Sequence, residues 1–406
     1  GSEGVLATTA RTLLDALGLA EKATVAADAD DEASRTRAAM AALDAELGAG
    51  WVKSVTPAFA PERAVLIDDR WATAREDVAR LGSGETDLDA FRRLLAPERF
   101  VGLGQAVADH ATCWAKQAKA SDLADGAERA AILTEIAQAA PKTPQAGDAT
   151  VRWSEDVAVV TGVAPGSIAA AVVGELLAGG ATVVATSSRL THERLEFATT
   201  LYREHAAAGA KLWMVPANLS SYRDVDALAE WIGNDQVVTS GGSTKVVKEA
   251  LVPTLLFPFA APRVSGTLAD AGPAAESQTR LLLWSVERTI AALSAIGTDT
   301  HVDHRLHVVL PGSPNRGTFG GDGAYGEVKS ALDAIVNRWS SERAWAQRVT
   351  LAHPRIGWVK GTGLMGGNDP LVAAVEAAGV RTWTTEEIAS ELTDLCTTEV
   401  RTRAAQ

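Results

Sequence analysis

Residues 156–169 read Asp-Val-Ala-Val-Val-Thr-Gly-Val-Ala-Pro-Gly-Ser-Ile-Ala, and this stretch decides the fold. It predicts a buried strand, a glycine turn and the start of a helix, in which apolar residues recur near helical period until Gly179 and Gly180 stop it. A second apolar strand, residues 181–185, follows at once. We therefore predict an α/β fold built on a Rossmann-like, doubly wound parallel sheet.

The glycine turn is a candidate site for a dinucleotide, because a turn of this kind places a pyrophosphate at the N-terminus of a helix. Its spacing is not the G-x-G-x-x-G fingerprint, so a tight turn in any α/β protein is the alternative from this stretch alone. The candidate cofactor-binding residues here are Thr161, Gly162, Gly166, Ser167 and Ile168.

The end of the second strand bears on the choice between NADH and NADPH. An acidic residue at this point commonly binds the ribose hydroxyl of NAD, whereas an arginine accommodates the 2′-phosphate of NADP. The strand runs into Ser187, Ser188 and Arg189, with no carboxylate before Glu193. This favours NADPH, with a solvated surface arginine as the alternative.

Ser313, Tyr325 and Lys329 follow a predicted strand at residues 307–310. Positions i and i+4 share one face of a helix, so Tyr325 and Lys329 point the same way. A cation beside a phenol favours the phenolate, so we expect Lys329 to lower the pKa of Tyr325 from about 10. Ser313 can donate a hydrogen bond to the same substrate oxygen. This is the arrangement that reduces a ketone with a nicotinamide cofactor.

Together these motifs resemble the short-chain dehydrogenase/reductase superfamily. Several longer segments resemble the β-ketoacyl reductase region of type I fatty acid synthases of fungal and actinobacterial kind. The resemblance is dense after residue 150 and sparse from about residue 50. The segments that carry it include residues 257–261, 310–320, 337–339, 356–365 and 379–382.

This resemblance implies NADPH-dependent reduction of a 3-oxoacyl group, carried on an acyl carrier protein, to a 3-hydroxyacyl group. It implies that Tyr325 is the proton donor, that Lys329 also contacts the nicotinamide ribose, and that Ser313 orients the ketone. It also implies that the chain works beside the other domains of a fatty acid synthase. Further cofactor-binding positions that it implies are Asn218, Leu219, Ala260, Gly357 and Thr362.

The chain departs from the superfamily pattern at several points. Ser285 stands where an asparagine usually supports a proton-relay water, and Ala169 where a glycine is expected. Phe259-Ala260-Ala261 replaces Asn-Ala-Gly after the fourth strand, and Ile356-Gly357 replaces Pro-Gly. The end of the glycine turn, Gly166-Ser167-Ile168-Ala169, also resembles the corresponding segment of enoyl reductases of the superfamily. Those enzymes space their tyrosine and lysine more widely. The four-residue spacing therefore favours a keto substrate.

Composition excludes some classes of function. The formal net charge of −13 disfavours nucleic acid and anionic membranes as partners. No apolar run reaches about 18 residues, the usual minimum for a membrane span, and the N-terminus lacks the basic region of a signal peptide. Two cysteines, Cys113 and Cys396, fit a reducing compartment, so we predict a cytoplasmic protein.

The chain of 406 residues is long enough for two domains. We predict a mostly helical N-terminal region and linker at residues 1–148, and an NADPH-binding ketoreductase domain at residues 149–406. We expect a helical lid to begin at about residue 366. Within it, Thr384 can cap a helix and Glu387 can complete a capping box. Residues 240–244, Ser-Gly-Gly-Ser-Thr, predict a flexible loop.

One cluster offers possible metal ligands: His301, Asp303, His304 and His307. Histidines three apart in a strand lie on opposite faces, so only a loop conformation would gather them, and we predict no metal site.

Two further functions stay open beside the synthase ketoreductase. The chain could be a catalytically silent NADP-binding module of a multienzyme, or a free-standing short-chain reductase of another ketone. The complete Ser313, Tyr325 and Lys329 set disfavours the first, and the long helical N-terminal region disfavours the second.

Overall fold

The structure is a computed structural model, and it describes residues 2–17, 19, 32–85, 87–262, 264–298, 304–318, 320–362 and 370–405. Its strands are β1 (Val65–Ile67), β2 (Val157–Val160), β3 (Thr182–Ser187), β4 (Lys211–Pro216), β5 (Gln236–Ser240), β6 (Ser243–Lys248), β7 (Leu255–Phe257), β8 (Leu306–Val309), β9 (Val349–Ala352), β10 (Trp358–Val359) and β11 (Thr382–Trp383).

Seven of these strands form the main sheet, in the order β1-β4-β3-β2-β7-β8-β9. Every pair in this sheet is parallel except β1 with β4. Numbered along the chain, the six parallel strands lie in the order 3-2-1-4-5-6, which is the order of dinucleotide-binding doubly wound sheets. The predicted Rossmann-like α/β fold is confirmed.

The α-helices are α1 (Ser2–Ala16), α2 (Glu32–Leu47), α3 (Trp51–Val55), α4 (Arg70–Ser83), α5 (Leu88–Leu94), α6 (Gln105–Ala120), α7 (Gly126–Ala139), α8 (Ile168–Ala178), α9 (His192–His205), α10 (Tyr222–Gly233), α11 (Pro273–Thr279), α12 (Ser285–Ser294), α13 (Tyr325–Ser341), α14 (Arg343–Ala346), α15 (Val372–Ala377), α16 (Thr385–Asp394) and α17 (Thr398–Ala404). A π-helical turn, Arg280–Trp284, joins α11 to α12. No helix in the described ranges combines the length and apolar composition needed to cross a membrane.

Two apolar layers cover the sheet, because side chains alternate between the faces of a strand. Ala158 and Val160 of β2 pack in the layer with α8, α9 and α16. Val159, between them, packs in the layer with α10, α12 and α13. All three side chains are fully buried. Helices thus cover both faces of the sheet, as a parallel sheet requires.

The N-terminal region contains two small apolar clusters of its own. One lies among α4, α6 and α7, and the other among α1, α2 and α3. The boundary at residues 148/149 stays a prediction, since the region also reaches into the sheet through β1. The register of that strand is antiparallel, with Val65 opposite Met214 and Ile67 opposite Leu212.

A buried carboxylate fixes the segment that leads into β1. Oδ2 of Asp224, a residue 1% exposed, accepts hydrogen bonds from the backbone N–H groups of Ala58 at 2.7 Å and Phe59 at 2.8 Å. The same oxygen accepts from the backbone N–H of Asn218 at 2.8 Å. Hydrogen bonds to a charged acceptor are the strong ones, so residues 58–59 are held firmly against the loop after β4.

Residues 240–244 form the turn of a β-hairpin, and their flexibility stays a prediction. β5 and β6 pair antiparallel, with Ser240 opposite Ser243. Gly241 and Gly242 have φ of +57° and +80°, which a two-residue hairpin turn of this hand requires. The β-branched residues on both sides of the Gly-Gly pair were the signal for a hairpin.

The capping box predicted at the start of α16 is confirmed. The side chain of Thr384 accepts from the backbone N–H of Glu387 at 3.1 Å, and the carboxylate of Glu387 accepts from the backbone N–H of Thr384 at 2.8 Å. Ile388 and Leu392 of this helix are buried in the layer with α8. Residues 363–369, where the predicted lid begins, lie outside the described residues, so lid behaviour stays a prediction.

We predict that Asp224→Ala destabilises the fold by about 3 kcal/mol, because three buried N–H groups lose their acceptor. Chemical unfolding measures this change, and limited proteolysis should cut near residues 54–60 faster than in the unaltered chain. Asp226→Ala is the matched control, since Asp226 is half-exposed and pairs with Arg288 at 2.6 Å on the surface. Asp226→Ala should lower the free energy of unfolding by less than about 1 kcal/mol. Equal losses for the two variants would contradict this account of Asp224.

Candidate functional site

The glycine turn after β2 lies at the carboxyl edge of the sheet, beside the end of β7. Oγ1 of Thr161 accepts from the backbone N–H of Ala260 at 3.0 Å. A Cβ at Gly162 would lie 2.5 Å from Cα of Ala260, and the φ of Gly162 is +76°. Only glycine fits so close an approach. The two strand ends are therefore locked together at the point where the strand order reverses, the usual ligand crevice of such sheets.

The start of α8 is a candidate anion site. Ser167 caps the helix, with Oγ accepting from the backbone N–H of Ala170 at 3.1 Å and donating to the carbonyl of Ala164 at 2.7 Å. Ile168 is the first helical residue, where backbone N–H groups have no partner inside the helix. Such N–H groups and the helix dipole favour a phosphate.

The loop after β9 passes close to the same turn. The carbonyl oxygen of Gly361 would lie 3.6 Å from a Cβ at Gly166, so Thr362 is brought near the start of α8. Thr362 is buried and its Oγ1 donates to the carbonyl of Val359 at 3.2 Å. Gly357 lies beside the indole of Trp383. The structure thus brings Thr362 to the turn, whereas Gly357 is placed against β11.

The end of β3 presents the residues predicted for the 2′-phosphate. Ser188 and Arg189 are exposed, whereas Ser187 is buried and its Oγ donates to the carbonyl of Arg189 at 3.0 Å. The hydroxyl of Ser187 therefore shapes the loop, and the side chains free to meet a ligand are those of Ser188 and Arg189.

Asn218 is the predicted cofactor residue whose side chain is engaged elsewhere. Its Nδ2 donates to the carbonyls of Ser54 and Thr56, each at 2.8 Å, and its Oδ1 accepts from the backbone N–H of Ser220 at 3.1 Å. Its amide binds the N-terminal segment instead of facing a ligand. Leu219, by contrast, lines a small cavity with Thr161 and Ala260.

Ser313, Tyr325 and Lys329 are brought together at the other half of the carboxyl edge. Tyr325 is the first residue of α13, and its phenol shares a side-chain hydrogen bond with Ser313. Nζ of Lys329 lies 5.3 Å from the centroid of the Tyr325 ring. That nitrogen donates to the carbonyl of Pro311 at 2.5 Å. The three predicted catalytic side chains therefore share one site.

The protonation of this site differs from the sequence-based expectation. Burial raises the pKa of Tyr325, and the charge of Asp322 raises it further, whereas the hydrogen bond with Ser313 lowers it. Burial also lowers the pKa of Lys329 to about 8. We expected Lys329 to lower the pKa of Tyr325, but its amine is directed at Pro311. The phenol therefore stays protonated at neutral pH, while most of the amine remains charged.

Ser285 lies at the start of α12 and is 2% exposed. Its Oγ is buried and has no hydrogen-bond partner in the described part of the chain. It lines a cavity of about 10 Å³ with Thr161, Pro258 and Thr289, which is about the space that one water occupies. The sequence leaves open whether Ser285 replaces the usual relay asparagine.

Three residues hold the loop that carries Ser313 in place, and sequence reasoning missed two of them, Asn315 and Gln278. The backbone N–H of Asn315 donates to Oγ of Ser313 at 3.1 Å, which leaves the serine hydroxyl hydrogen for the phenol. Nδ2 of Asn315 donates to Asp322 at 2.9 Å. Gln278, only 3% exposed, accepts from the backbone N–H of Ala324 at 2.7 Å. Asn315 and Asp322 lie in the glycine-rich stretch between Ser313 and Tyr325, but Gln278 comes from a distant helix that no local pattern connects to it.

The histidine cluster does not assemble in the described ranges. His301 and Asp303 lie outside the described residues. His304 bonds the carbonyl of Pro253 at 2.8 Å, and the buried ring of His307 bonds Oγ1 of Thr350 at 2.8 Å and the carbonyl of Leu395 at 3.0 Å. No set of three ligating side chains occurs among the described residues.

Fold and site together define a Rossmann-like, doubly wound α/β protein with a Ser-Tyr-Lys constellation at its carboxyl edge. The chain is similar to the fatty acid synthase subunit alpha of Saccharomyces cerevisiae, with 37% identity over 255 residues. It is similar to that subunit of Schizosaccharomyces pombe, with 36% identity over 259 residues. The matches cover 62% and 61% of this chain. The predicted resemblance to fatty acid synthases is confirmed.

The chain spans only 13% and 14% of the length of these two relatives. No protein-family model matches it. Among solved structures it is similar to a short-chain dehydrogenase/reductase from Serratia marcescens, at 20% identity and a TM-score of 0.48, covering 61% of this chain and 93% of that one. A short-chain type dehydrogenase/reductase from Mycobacterium ulcerans gives 17% identity and a TM-score of 0.49, covering 62% and 86%. The fold assignment rests on the strand order above.

We predict that Lys329→Met changes stability in a pH-dependent way. The folded pKa of Lys329, about 8, lies below its ordinary value of 10.5, so between these values the unfolded chain binds a proton that the folded chain does not. The stability of the unaltered chain therefore gains from this group as pH rises through that window. The melting temperature of Lys329→Met relative to the unaltered chain should be highest at pH 7 and should decline toward pH 10.

Lys119→Met, at an exposed position of α6, is the control and should show no such trend. A constant difference between Lys329→Met and the unaltered chain from pH 7 to pH 10 would contradict the burial of a charged amine.

Proposed function

We propose that this chain reduces a 3-oxoacyl group, carried on an acyl carrier protein, to a 3-hydroxyacyl group with NADPH, as the ketoreductase part of a fatty acid synthase. The observation that carries the proposal is the meeting of Ser313, Tyr325 and Lys329 at the carboxyl edge of the sheet, the edge that also carries the glycine turn. The similarity to fatty acid synthase alpha subunits supports the acyl substrate. The carrier protein, the other synthase domains and the cytoplasmic location are parts of the same proposal.

The residues present fit a dinucleotide. The glycine turn approaches Ala260 too closely for any side chain, the N-terminus of α8 offers backbone N–H groups, and Arg189 and Ser188 are exposed at the end of β3. Thr161, Gly162, Gly166, Ser167 and Ile168 would hold the pyrophosphate end, and the absence of a carboxylate before Glu193 favours NADPH over NADH. A bound NADPH would supply the hydride.

The side chains of the site account for the fate of the substrate oxygen. As a ketone accepts hydride, negative charge develops on its oxygen, and a preorganised donor there lowers the barrier. Ser313 can donate to this oxygen, and Tyr325 can deliver the proton because its raised pKa keeps the phenol protonated. Nζ of Lys329 lies 5.3 Å from the ring centroid, and it would stabilise the phenolate once its amine turns from the carbonyl of Pro311 toward the phenol oxygen.

Burial makes this charge effective. Lys329 is 6% exposed, and an ionic interaction that is withdrawn from water is stronger than one on the surface. Because the pKa of Lys329 is about 8, most of the amine is still charged at pH 7. The site therefore combines a protonated acid and a nearby cation at neutral pH, as reduction of a ketone requires.

NADPH oxidation by the purified chain, with acetoacetyl-CoA standing for the carrier-linked substrate, tests the proposal. Tyr325→Phe should lower kcat by about 10² to 10⁴-fold, because it removes the proton donor. Ser313→Ala should lower kcat by about 10²-fold, because it removes a donor to the developing charge. Both variants should still bind NADPH.

Tyr222→Phe is the matched control, since it removes a phenol hydroxyl from α10 and keeps the aromatic ring that stacks under Arg280. It should retain the activity of the unaltered chain. In this assay the chain is not tethered to a carrier protein, and tethering would raise the effective concentration of the substrate. Carrier-linked substrate should therefore be tested at high concentration as well. Tight NADPH binding without turnover on either substrate would contradict the proposal and favour a silent nucleotide-binding module.

A further inference from the structure

We propose that Arg63, in the N-terminal region, forms the second half of a pocket for the 2′-phosphate of NADPH, opposite Arg189. This inference rests on the proposed function and extends it to a residue outside the predicted reductase domain. Nothing in the strand-helix pattern of residues 149–406 points to Arg63. Its role follows from where β1 joins the sheet.

The register of the sheet puts Arg63 at the ligand edge. β1 runs antiparallel to β4 and begins with Val65 opposite Met214. The residues just before Val65 therefore lie beside the carboxyl end of β4, where Pro216 is opposite Ser187 of β3. Arg63, two residues before β1, is thus carried to the edge where β3 ends in Ser188 and Arg189.

A hydrogen bond confirms this placement. Nη2 of Arg63 donates to the carbonyl of Leu190 at 3.1 Å, one residue beyond Arg189. Both arginines are exposed, and neither guanidinium forms an ion pair within the part of the chain that the structure describes. Because both arginines border the loop after β3, a dianion bound there would accept hydrogen bonds from both guanidinium groups.

Arg63 and Arg189 lie on the surface of a chain in which acidic residues outnumber basic ones by 51 to 38. A phosphate is the anion that fits, because its oxygens accept parallel hydrogen bonds from a guanidinium.

The segment that carries Arg63 is held rigidly. Asp224 accepts from the backbone N–H groups of Ala58 and Phe59, and Asn218 donates to the carbonyls of Ser54 and Thr56. The loop after β4 thus fixes residues 54–59 beside the place where we expect the adenosine. A cation on such a fixed segment loses little conformational entropy when a phosphate binds.

Binding of NADPH and NADH, measured by titration calorimetry, tests the inference with no turnover required. Arg63→Gln removes the charge and leaves a shorter, polar side chain. It should weaken NADPH binding about tenfold and leave NADH binding within about twofold. Adenosine 2′,5′-bisphosphate and adenosine 5′-monophosphate, used as smaller probes, should show the same contrast.

Two further variants serve as references. Arg189→Gln should weaken NADPH binding selectively, as Arg63→Gln does. Arg343→Gln, at an exposed position at the start of α14, should change neither affinity. Thermal unfolding of Arg63→Gln should match that of the unaltered chain, which shows that the segment remains in place.

Each remaining outcome overturns a different claim. If Arg63→Gln leaves NADPH affinity unchanged while Arg189→Gln lowers it, Arg63 is not part of the pocket and the proposed function stands. If Arg63→Gln weakens NADPH and NADH equally, its role is structural and the phosphate contact is wrong. If the unaltered chain binds the two dinucleotides equally well, the NADPH preference fails, and this inference fails with it.

Discussion

The ammonium group of Lys329 is confined between the carbonyl of Pro311 and the ring of Tyr325, and the catalytic half of the site is arranged around it. Burial of a charged amine costs free energy, which is visible in the lowering of its pKa to about 8. A fold selected for stability alone would place an apolar side chain there. The cost is understandable if the charge is needed when Tyr325 gives up its proton. A pKa shifted by burial in this way is typical of functional sites.

The two halves of the carboxyl edge have separate supports. The catalytic half depends on the strand end before Ser313 and on the glycine-rich loop that Asn315, Asp322 and Gln278 hold in place. The other half, which is proposed to bind the dinucleotide, depends on the close approach of Gly162 to Ala260 and on the N-terminal segment bound by Asp224. The N-terminal region is therefore part of the sheet and of its ligand edge. It supplies the edge strand β1 and the wall of the crevice beyond β4.

Much of this could be predicted from the sequence because it is local. The β-α-β unit around Gly162 follows from apolar periodicity and a glycine turn, and the meeting of Tyr325 with Lys329 follows from helical spacing. The partner of Asn218 could not be predicted, because its amide binds the carbonyl of Ser54, 164 residues away in the chain. β1 was missed because three apolar residues form too short a pattern to identify a strand. The direction of the Lys329 amine was missed because spacing alone does not show that the carbonyl of Pro311 is the nearer partner.

The central claim is that this site transfers hydride to a ketone, and isotope transfer tests it most directly. The purified chain would be given NADPH carrying deuterium at both hydrogen positions of C4, together with a 3-oxoacyl thioester, and the product would be examined by mass spectrometry. The account predicts a 3-hydroxyacyl product with one deuterium on the carbon that bore the ketone, and almost no such product with Tyr325→Phe. Consumption of NADPH without deuterium in the product, or a 3-hydroxyacyl product formed equally well by Tyr325→Phe, would contradict it.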